Sequence, residues 1–322
     1  MTRELAEVLA CPACGGALDG LACTACAAVY AAPNGIPDLR LPGDPRSDAV
    51  RDFYSVAPFP GYPPRMSLSG LRARARRSEL ARALDAAIPG DARILEVGCG
   101  TGQMSLFLAG ADRLIVGADF QRASLALGRA AAARFGVEGV HFVETDLRAP
   151  GLRAGAFDVV LALGVLHHTP DPRFAFRAIA RLVRPGGVVV VTLYHALARL
   201  PHRLRRGVAR LFRYKVVPFD PVLRDRAAEP ARREAWLRDQ YLHPEEHRHL
   251  LGEVRRWFEE NDVAFLRTLP SCLFGAPVLE GPELFEPAGD DWRLEEAVAQ
   301  LGWIPTLAAE GGVFATVGRR AG

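Results

Sequence analysis

Residues 94–109 read ILEVGCGTGQMSLFLA: branched aliphatics, three alternating glycines, then an alanine- and leucine-bearing apolar stretch. The aliphatic run has the character of a buried strand. Gly98, Gly100 and Gly102 then make a turn where φ can be positive and a ligand can touch bare backbone. Two phosphate-binding readings of this turn lack their residues. A dinucleotide fingerprint needs Gly or Ala three positions after Gly100, where Gln103 stands, and a P-loop needs a Gly-Lys-Ser/Thr that is absent. By itself the turn also fits a strand-to-helix connection with no ligand.

The acids downstream carry the reading further. RLIVGADF (113–120) reads as a second buried strand ending in Asp119, about twenty residues past the first glycine, where a carboxylate can accept both hydroxyl protons of a ribose. A third run, VHFVETDL (140–147), ends in Asp146, and a fourth, FDVVLALGVLHHTPDP (157–172), ends in a glycine and two histidines. Strand ends near 97, 118, 143, 163 and 194, with helical stretches between them, give the alternation of a parallel α/β sheet; VAFLRTL and GGVFATVGRR bring the strands to seven. Such sheets bind ligands beyond the carboxyl ends of their strands, beside the point where strand order reverses.

In order and spacing, LEVGCGTG, Asp119, ETDL, FDVVLALGVLHH and LVRPGGVVVVTLY resemble the class I S-adenosylmethionine-dependent methyltransferases. The resemblance implies a Rossmann-like seven-stranded sheet with helices on both faces. It also implies a ligand offering an amino-acid carboxylate, a ribose, an adenine and a sulfonium in place of a phosphate. Glu96, Gly98 and Gly100 would line the methionine end, Asp119 would hold the ribose hydroxyls, Phe120 would flank adenine and Asp146 would accept from its amino group. Cys99, Gly102, Gln103, Leu147, Leu163 and Gly164 complete the implied cofactor-binding set. Taken singly, Asp146 serves as well for a helix cap and Phe120 for a core aromatic. Methyl transfer from a sulfonium needs alignment and exclusion of water, and a general base only where the acceptor carries a proton at neutral pH. His167 and His168 after the fourth strand, and His195 after the fifth, are the catalytic candidates, although a histidine at a strand end packs a loop as readily.

A second motif stands near the beginning of the chain. CPACGGALDGLACTAC places Cys11, Cys14, Cys23 and Cys26 as two C-x-x-C knuckles, able to present four thiolates to one tetrahedral Zn2+. Four cysteines close the coordination shell, so this zinc would be structural and the surrounding residues, poor in large apolar side chains, would depend on it to fold. With its continuation AVYAAPNGIPDLR, the segment resembles the small zinc-ribbon proteins that partner tRNA-, rRNA- and release-factor-modifying methyltransferases.

The division expected is a zinc-ribbon module at 1–45, a linker and aromatic lid segment at 46–70, and a cofactor-binding domain at 71–322 with a helical insert at 196–243. In the linker, Phe53, Tyr54, Phe59 and Tyr62 either cover cofactor and acceptor or dock on the body. Leu80, Leu84 and Ile88 mark one face of a helix over 71–88. In the insert, Leu197, Leu200, Leu204, Val208 and Leu211 fall at helical spacing beside Arg199, Arg203, Arg205, Arg206, Arg210 and Arg213. The reading preferred is a lid packed by its apolar face with solvated arginines; an interfacial membrane helix and a nucleic-acid contact are the alternatives. A further helix is expected to start at Pro244, with Glu245 and Glu246 serving its dipole. Tyr194, Asp239, Gln240, Tyr241 and His243 are the other acceptor-facing candidates.

Composition narrows the class but not the acceptor. The 322 residues are 49% hydrophobic with a formal net charge of +3, enough for a large core and too balanced to imply nucleic acid. Of the 40 basic residues only Lys215 is a lysine, so abundant arginine reads as a composition bias. Neither a membrane span nor a secretion leader is read in the sequence, which makes cytoplasm the expected compartment. The function expected is methyl transfer to a small molecule. The alternatives are an RNA- or protein-modifying enzyme whose zinc ribbon presents the macromolecule, and a cofactor-binding regulator without turnover.

Overall fold

The computed structural model describes residues 2–41, 61–110, 112–220, 223, 230–243, 245–273, 279, 281–289, 293–306 and 311–322. Its body is a seven-stranded sheet in the order β5-β4-β3-β6-β7-β9-β8. The strands are β3 (Arg93–Val97), β4 (Leu114–Asp119), β5 (Val140–Glu144), β6 (Phe157–Leu163), β7 (Val183–Tyr194), β8 (Val263–Leu269) and β9 (Val313–Arg320). β3 to β7 pair in parallel, while β9 runs antiparallel to both β7 and β8. All seven are the runs expected from the aliphatic pattern.

Alternate side chains along each strand enter two cores, one on each face. Leu95, Val97, Val116, Ala118, Val160 and Ala162 fill one; Ile94, Ile115, Val159, Leu161, Val188 and Val190 fill the other. Helices cover both faces, among them α4 (Gln103–Leu108), α5 (Arg122–Phe135) and α6 (Pro172–Ala180), the last capped by Asp171, whose side chain accepts from Phe174 N. Strand order reverses between β3 and β6, which sets the switch point at the glycine turn.

The cysteine-bearing segment is built into this body. Helix α1 (Arg3–Val8) precedes a hairpin of β1 (Leu18–Asp19) and β2 (Ala22–Cys23), and Leu5, Val8, Leu9 and Leu39 are buried in the same core as Val143, Leu152 and Val160. Its backbone continues the sheet's edge: Leu39 N donates to Glu144 O and Glu144 N to Pro37 O, so residues 37–39 cover the otherwise open side of β5. Arg40 and Arg122 both pair with the Glu144 carboxylate beneath this contact.

Three local expectations are corrected. The helix expected over 71–88 is two, α2 (Leu68–Ala75) and α3 (Glu79–Ala87), because Ser78 takes an extended φ/ψ of −81°/129° at the start of the second. The helix expected from Pro244 begins only at Leu251 (α8, Leu251–Glu259). The residues before it spend their backbone groups on other segments, His247 N donating to His167 O and His249 N to Tyr194 O.

The third correction concerns the insert helix α7 (Leu200–Leu211), which is turned over relative to the reading from periodicity. Arg205 and Arg206 turn inward, Arg206 pairing with Glu246 at 3.0 Å, while Leu204, Val208 and Leu211 are exposed. Arg199, just before the helix, is fully buried and reaches the same carboxylate. The counter-acids Asp220 and Glu246, further along the chain, decided the orientation, and helical spacing alone does not reveal them.

Candidate functional site

The glycine turn is shaped by what presses on it. At Gly98, with φ +62°, an added Cβ would sit 2.3 Å from Val165 Cγ2, so both the backbone conformation and the close approach of the β6 loop require glycine. Gly102 is also left-handed, but its missing side chain makes room for the Phe142 ring, 2.5 Å from the position a Cβ would take. Gly102 therefore packs the turn against the core, and the cavity is lined by Gly98, Cys99 and Gly100.

Two carboxylates sit behind the turn. Asp119, at the end of β4, accepts from Gly100 N through Oδ2 and from Gln121 N through Oδ1, each at 2.8 Å. Burial pushes its carboxyl up to about 6 even though these backbone donors favour the ionised form. Glu96, near the end of β3, accepts from Ser105 N at 2.8 Å and from the Ser105 hydroxyl, both at Oε2. Burial raises it to about 7, again against the pull of the serine. Both line a cavity of about 670 Å³, within the range of roughly 300–1,000 Å³ found for small-molecule sites.

Every residue of the implied cofactor set except Gly102 reaches this cavity: Glu96, Gly98, Cys99, Gly100, Gln103, Asp119, Phe120, Asp146, Leu147, Leu163 and Gly164. Asp146 meets it with both oxygens held by the Arg148 guanidinium, the shorter contact 2.8 Å. Beyond these strand ends the cavity has a further wall that sequence reasoning missed. Leu71, Arg74 and Arg77 contribute to it, and so do Thr169, Asp171 and Phe174. Leu71, Arg74, Arg77 and Phe174 belong to no motif, whereas Thr169 and Asp171 close the fourth run just after the two histidines.

The three catalytic candidates separate. His168 lines the cavity, and its Nδ1 donates to Glu245 O at 2.8 Å, which leaves Nε2 as the acceptor nitrogen. Burial lowers it to about 4, so the ring is neutral at pH 7. His167 is buried behind it, 3.9 Å from the Tyr194 ring centroid, and is driven well below the usual histidine range by burial. His195 lies outside the cavity lining. Its Nδ1 accepts from Ala198 N at 3.2 Å and its Nε2 donates to Gln300 Oε1 at 2.9 Å, so both nitrogens are committed to structure.

The acceptor candidates of the insert also gather away from the cavity. Gln240 Nε2 donates to Tyr194 OH at 3.0 Å, Arg199 Nη1 donates to Gln240 Oε1 at 2.9 Å, and the Arg199 guanidinium lies 3.8 Å from the Tyr194 ring centroid. Tyr241 OH donates to Asp220 at 2.7 Å, and His243 stacks on His168 at 3.8 Å between centroids. This layer backs the cavity wall and does not form it. Tyr62 lies on the outside of the glycine turn, its OH donating to Thr101 O at 2.8 Å. Phe53, Tyr54 and Phe59 lie outside the described residues, as does the Asp239 side chain.

The four cysteines come together as their spacing implied. Cys11 and Cys26 sulfurs are 3.6 Å apart, Cys14 and Cys23 3.5 Å, all four Sγ atoms lie within 4.8 Å of one another, and none is in a disulfide. A tetrahedral ion with bonds of about 2.3 Å to sulfur sets its ligands about 3.8 Å apart. The set fits a zinc ion.

Residues 95–191 match the family described as "Methyltransferase domain". An uncharacterised protein of Synechococcus sp. is 28% identical over 269 residues, 72% of this chain and 64% of its own length. A ubiquinone biosynthesis O-methyltransferase of Cronobacter sakazakii is 31% identical over 160 residues, 50% of this chain and 64% of that protein. The chain thus spans about 64% of the length of each of these relatives. Among solved structures, PKMT2 from Rickettsia typhi in complex with AdoHcy superposes with a TM-score of 0.54 at 14% identity, covering 80% of this chain and 55% of that one, a likeness of fold.

Proposed function

We propose, from the premise that this chain carries a class I S-adenosylmethionine-dependent methyltransferase domain, that it methylates a small-molecule acceptor and that its four amino-terminal cysteines hold a structural zinc ion. One observation carries the acceptor reading: the cavity that holds the strand-end residues is lined as well by Leu71, Arg74, Arg77, Thr169 and Phe174, none of which the cofactor set includes. A cavity of about 670 Å³ with such additional lining suits a small molecule beside the cofactor. The ubiquinone biosynthesis O-methyltransferases among its relatives support the same class, but they align with about half of this chain or less, which leaves O, N or C as the receiving atom.

When bound, S-adenosylmethionine supplies an electrophilic methyl on a good leaving group. The protein's part is then to bind, align and exclude water. Glu96 and Asp119 provide anionic acceptors for the ammonium and ribose hydroxyls. His168, neutral and with Nε2 as its acceptor atom, can take a hydrogen bond from an acceptor hydroxyl or amine. With a conjugate acid lowered to about 4 it is a weak base at neutral pH, so its role is to orient a proton-bearing acceptor more than to remove the proton.

His168→Ala is accordingly expected to lower kcat by roughly ten- to a hundred-fold with cofactor affinity unchanged, and the wild-type pH–rate profile should lack an inflection near 6.5. An inflection there that vanishes in the variant would return His168 to the general-base role. The function itself is tested with purified protein, methyl-labelled cofactor and size-sorted cell extract. Label in the small-molecule fraction supports the reading; label in RNA or protein, or none, overturns it.

A further inference from the structure

The reversed helix α7 leaves an unusual surface. Leu204, Val208 and Leu211 form a stripe at helical spacing, continued by Phe212, Val216 and Phe219, and Leu204, Leu211 and Phe219 are 74%, 82% and 78% exposed. The segment 196–219 holds Arg199, Arg203, Arg205, Arg206, Arg210, Arg213 and Lys215 and no acidic residue. Arg199, Arg205 and Arg206 turn inward to Glu246 and Asp220, whereas Arg203, Arg210, Arg213 and Lys215 are exposed around the apolar stripe with no ion pair among the described residues.

Three kinds of partner can be weighed against that combination. A nucleic acid would satisfy the cations but leave exposed leucines and phenylalanines against phosphate and water. A second copy meeting the same patch across a two-fold axis would bury the apolar stripe but bring two clusters of cations together with no acid between them. A bilayer surface containing anionic lipid satisfies both at once, because the apolar side chains enter the acyl boundary while arginine and lysine stems reach back to the headgroups. At twelve residues the helix is about 18 Å long. Among the described residues no helix is long and apolar enough to cross a membrane, so the contact is one of lying on the surface.

We infer that helix α7 and the turn to Phe219 are a docking surface for anionic membrane lipid. The surface is anchored to the site. Arg206 and Arg199 hold Glu246, and the carbonyl of the adjacent Glu245 accepts from His168 in the cavity wall. Lipid docking therefore bears on the segment that holds His168 in the cavity wall, and it stands or falls independently of the methyl-transfer reading.

The test is sedimentation of the full chain with phosphatidylcholine vesicles with and without phosphatidylglycerol, at low and high salt. Binding to the anionic vesicles alone, weakened by salt, is expected. Arg203→Gln, Arg210→Gln and Lys215→Gln together should weaken it by roughly five-fold per charge removed. Leu211→Asp with Phe219→Asp should abolish it. All five side chains are exposed and outside the cavity lining, so circular dichroism and cofactor binding should match wild type and serve as folding controls. The inference is overturned by absence of binding to either vesicle. It is equally overturned by RNA binding that the apolar pair leaves intact in place of vesicle binding, or by a dimer that the apolar pair disperses without any vesicle binding.

Discussion

Asp119→Asn is expected to weaken binding of S-adenosylmethionine and of its demethylated product by roughly 2–5 kcal/mol, a factor of about thirty to several thousand, with the chain still folded. The carboxylate is buried at the end of β4, lines the cavity, and already draws Gly100 N onto Oδ2. Its loss removes the anionic acceptor for a ribose diol and loosens the turn that faces the methionine end. The amide retains one oxygen for the Gln121 cap, so calorimetry on the variant separates lost binding from lost fold. Unchanged affinity would detach Asp119 from the cofactor.

The same two carboxylates give the binding a pH signature. Glu96 at about 7 and Asp119 at about 6 are both raised above their ordinary values by burial, so their contribution to stability is fully present below about pH 4 and is lost as pH rises through 6 to 7. Above that window the ligand-free protein carries two buried negative charges, which an ammonium and two hydroxyls would offset. The rise in melting temperature produced by the demethylated cofactor should therefore be larger at pH 8 than at pH 5, and binding near pH 6 should release protons to buffer. A ligand-induced shift that is flat or inverted across this range would mean that these carboxylates do not meet the ligand.

How much of this was legible beforehand depends on where the information lies along the chain. The parallel strands are buried on both faces and read as aliphatic runs, and the residues at their carboxyl ends follow them directly, so β3 to β6 with Glu96, Gly98, Asp119 and Asp146 could be read in order. The far wall of the cavity could not. Arg74 and Phe174 meet there from helices about a hundred residues apart, and neither occupies a position that local chemistry marks. Helix α7 shows the limit of periodicity most plainly. Its amphipathic pattern was readable, but which face turns inward was decided by Glu246 and Asp220, and a buried arginine with a distant carboxylate outweighed the apolar stripe. His195 shows a related limit: its place at a strand end is visible in the sequence, while the partners of its two nitrogens, Ala198 and Gln300, are not.

Chelating the zinc proposed for the four cysteines should unsettle more than the amino-terminal segment. That segment holds few large apolar side chains of its own, and it inserts Leu5, Val8, Leu9 and Leu39 into the core beneath β5 and β6. Without an ion the four sulfurs, drawn within 4.8 Å of one another, have no bond to hold the knuckles. Releasing these four side chains forfeits roughly 1.5–3 kcal/mol each, together about 6–12 kcal/mol, which is comparable with the whole stability of a typical domain. It also uncovers the edge of β5 that residues 37–39 protect. Chelation is thus expected to lower the melting temperature by on the order of 10 °C or more and to make the protein prone to aggregate. Cys14→Ser and Cys26→Ser, at exposed positions where no cavity is made, should reproduce the effect and lose the one zinc per chain that elemental analysis of the wild type is expected to find. If the wild-type protein carries no metal, or if chelation removes it while melting and circular dichroism stay the same, then packing against β5 and β6 holds the segment and the cysteines are not its staple.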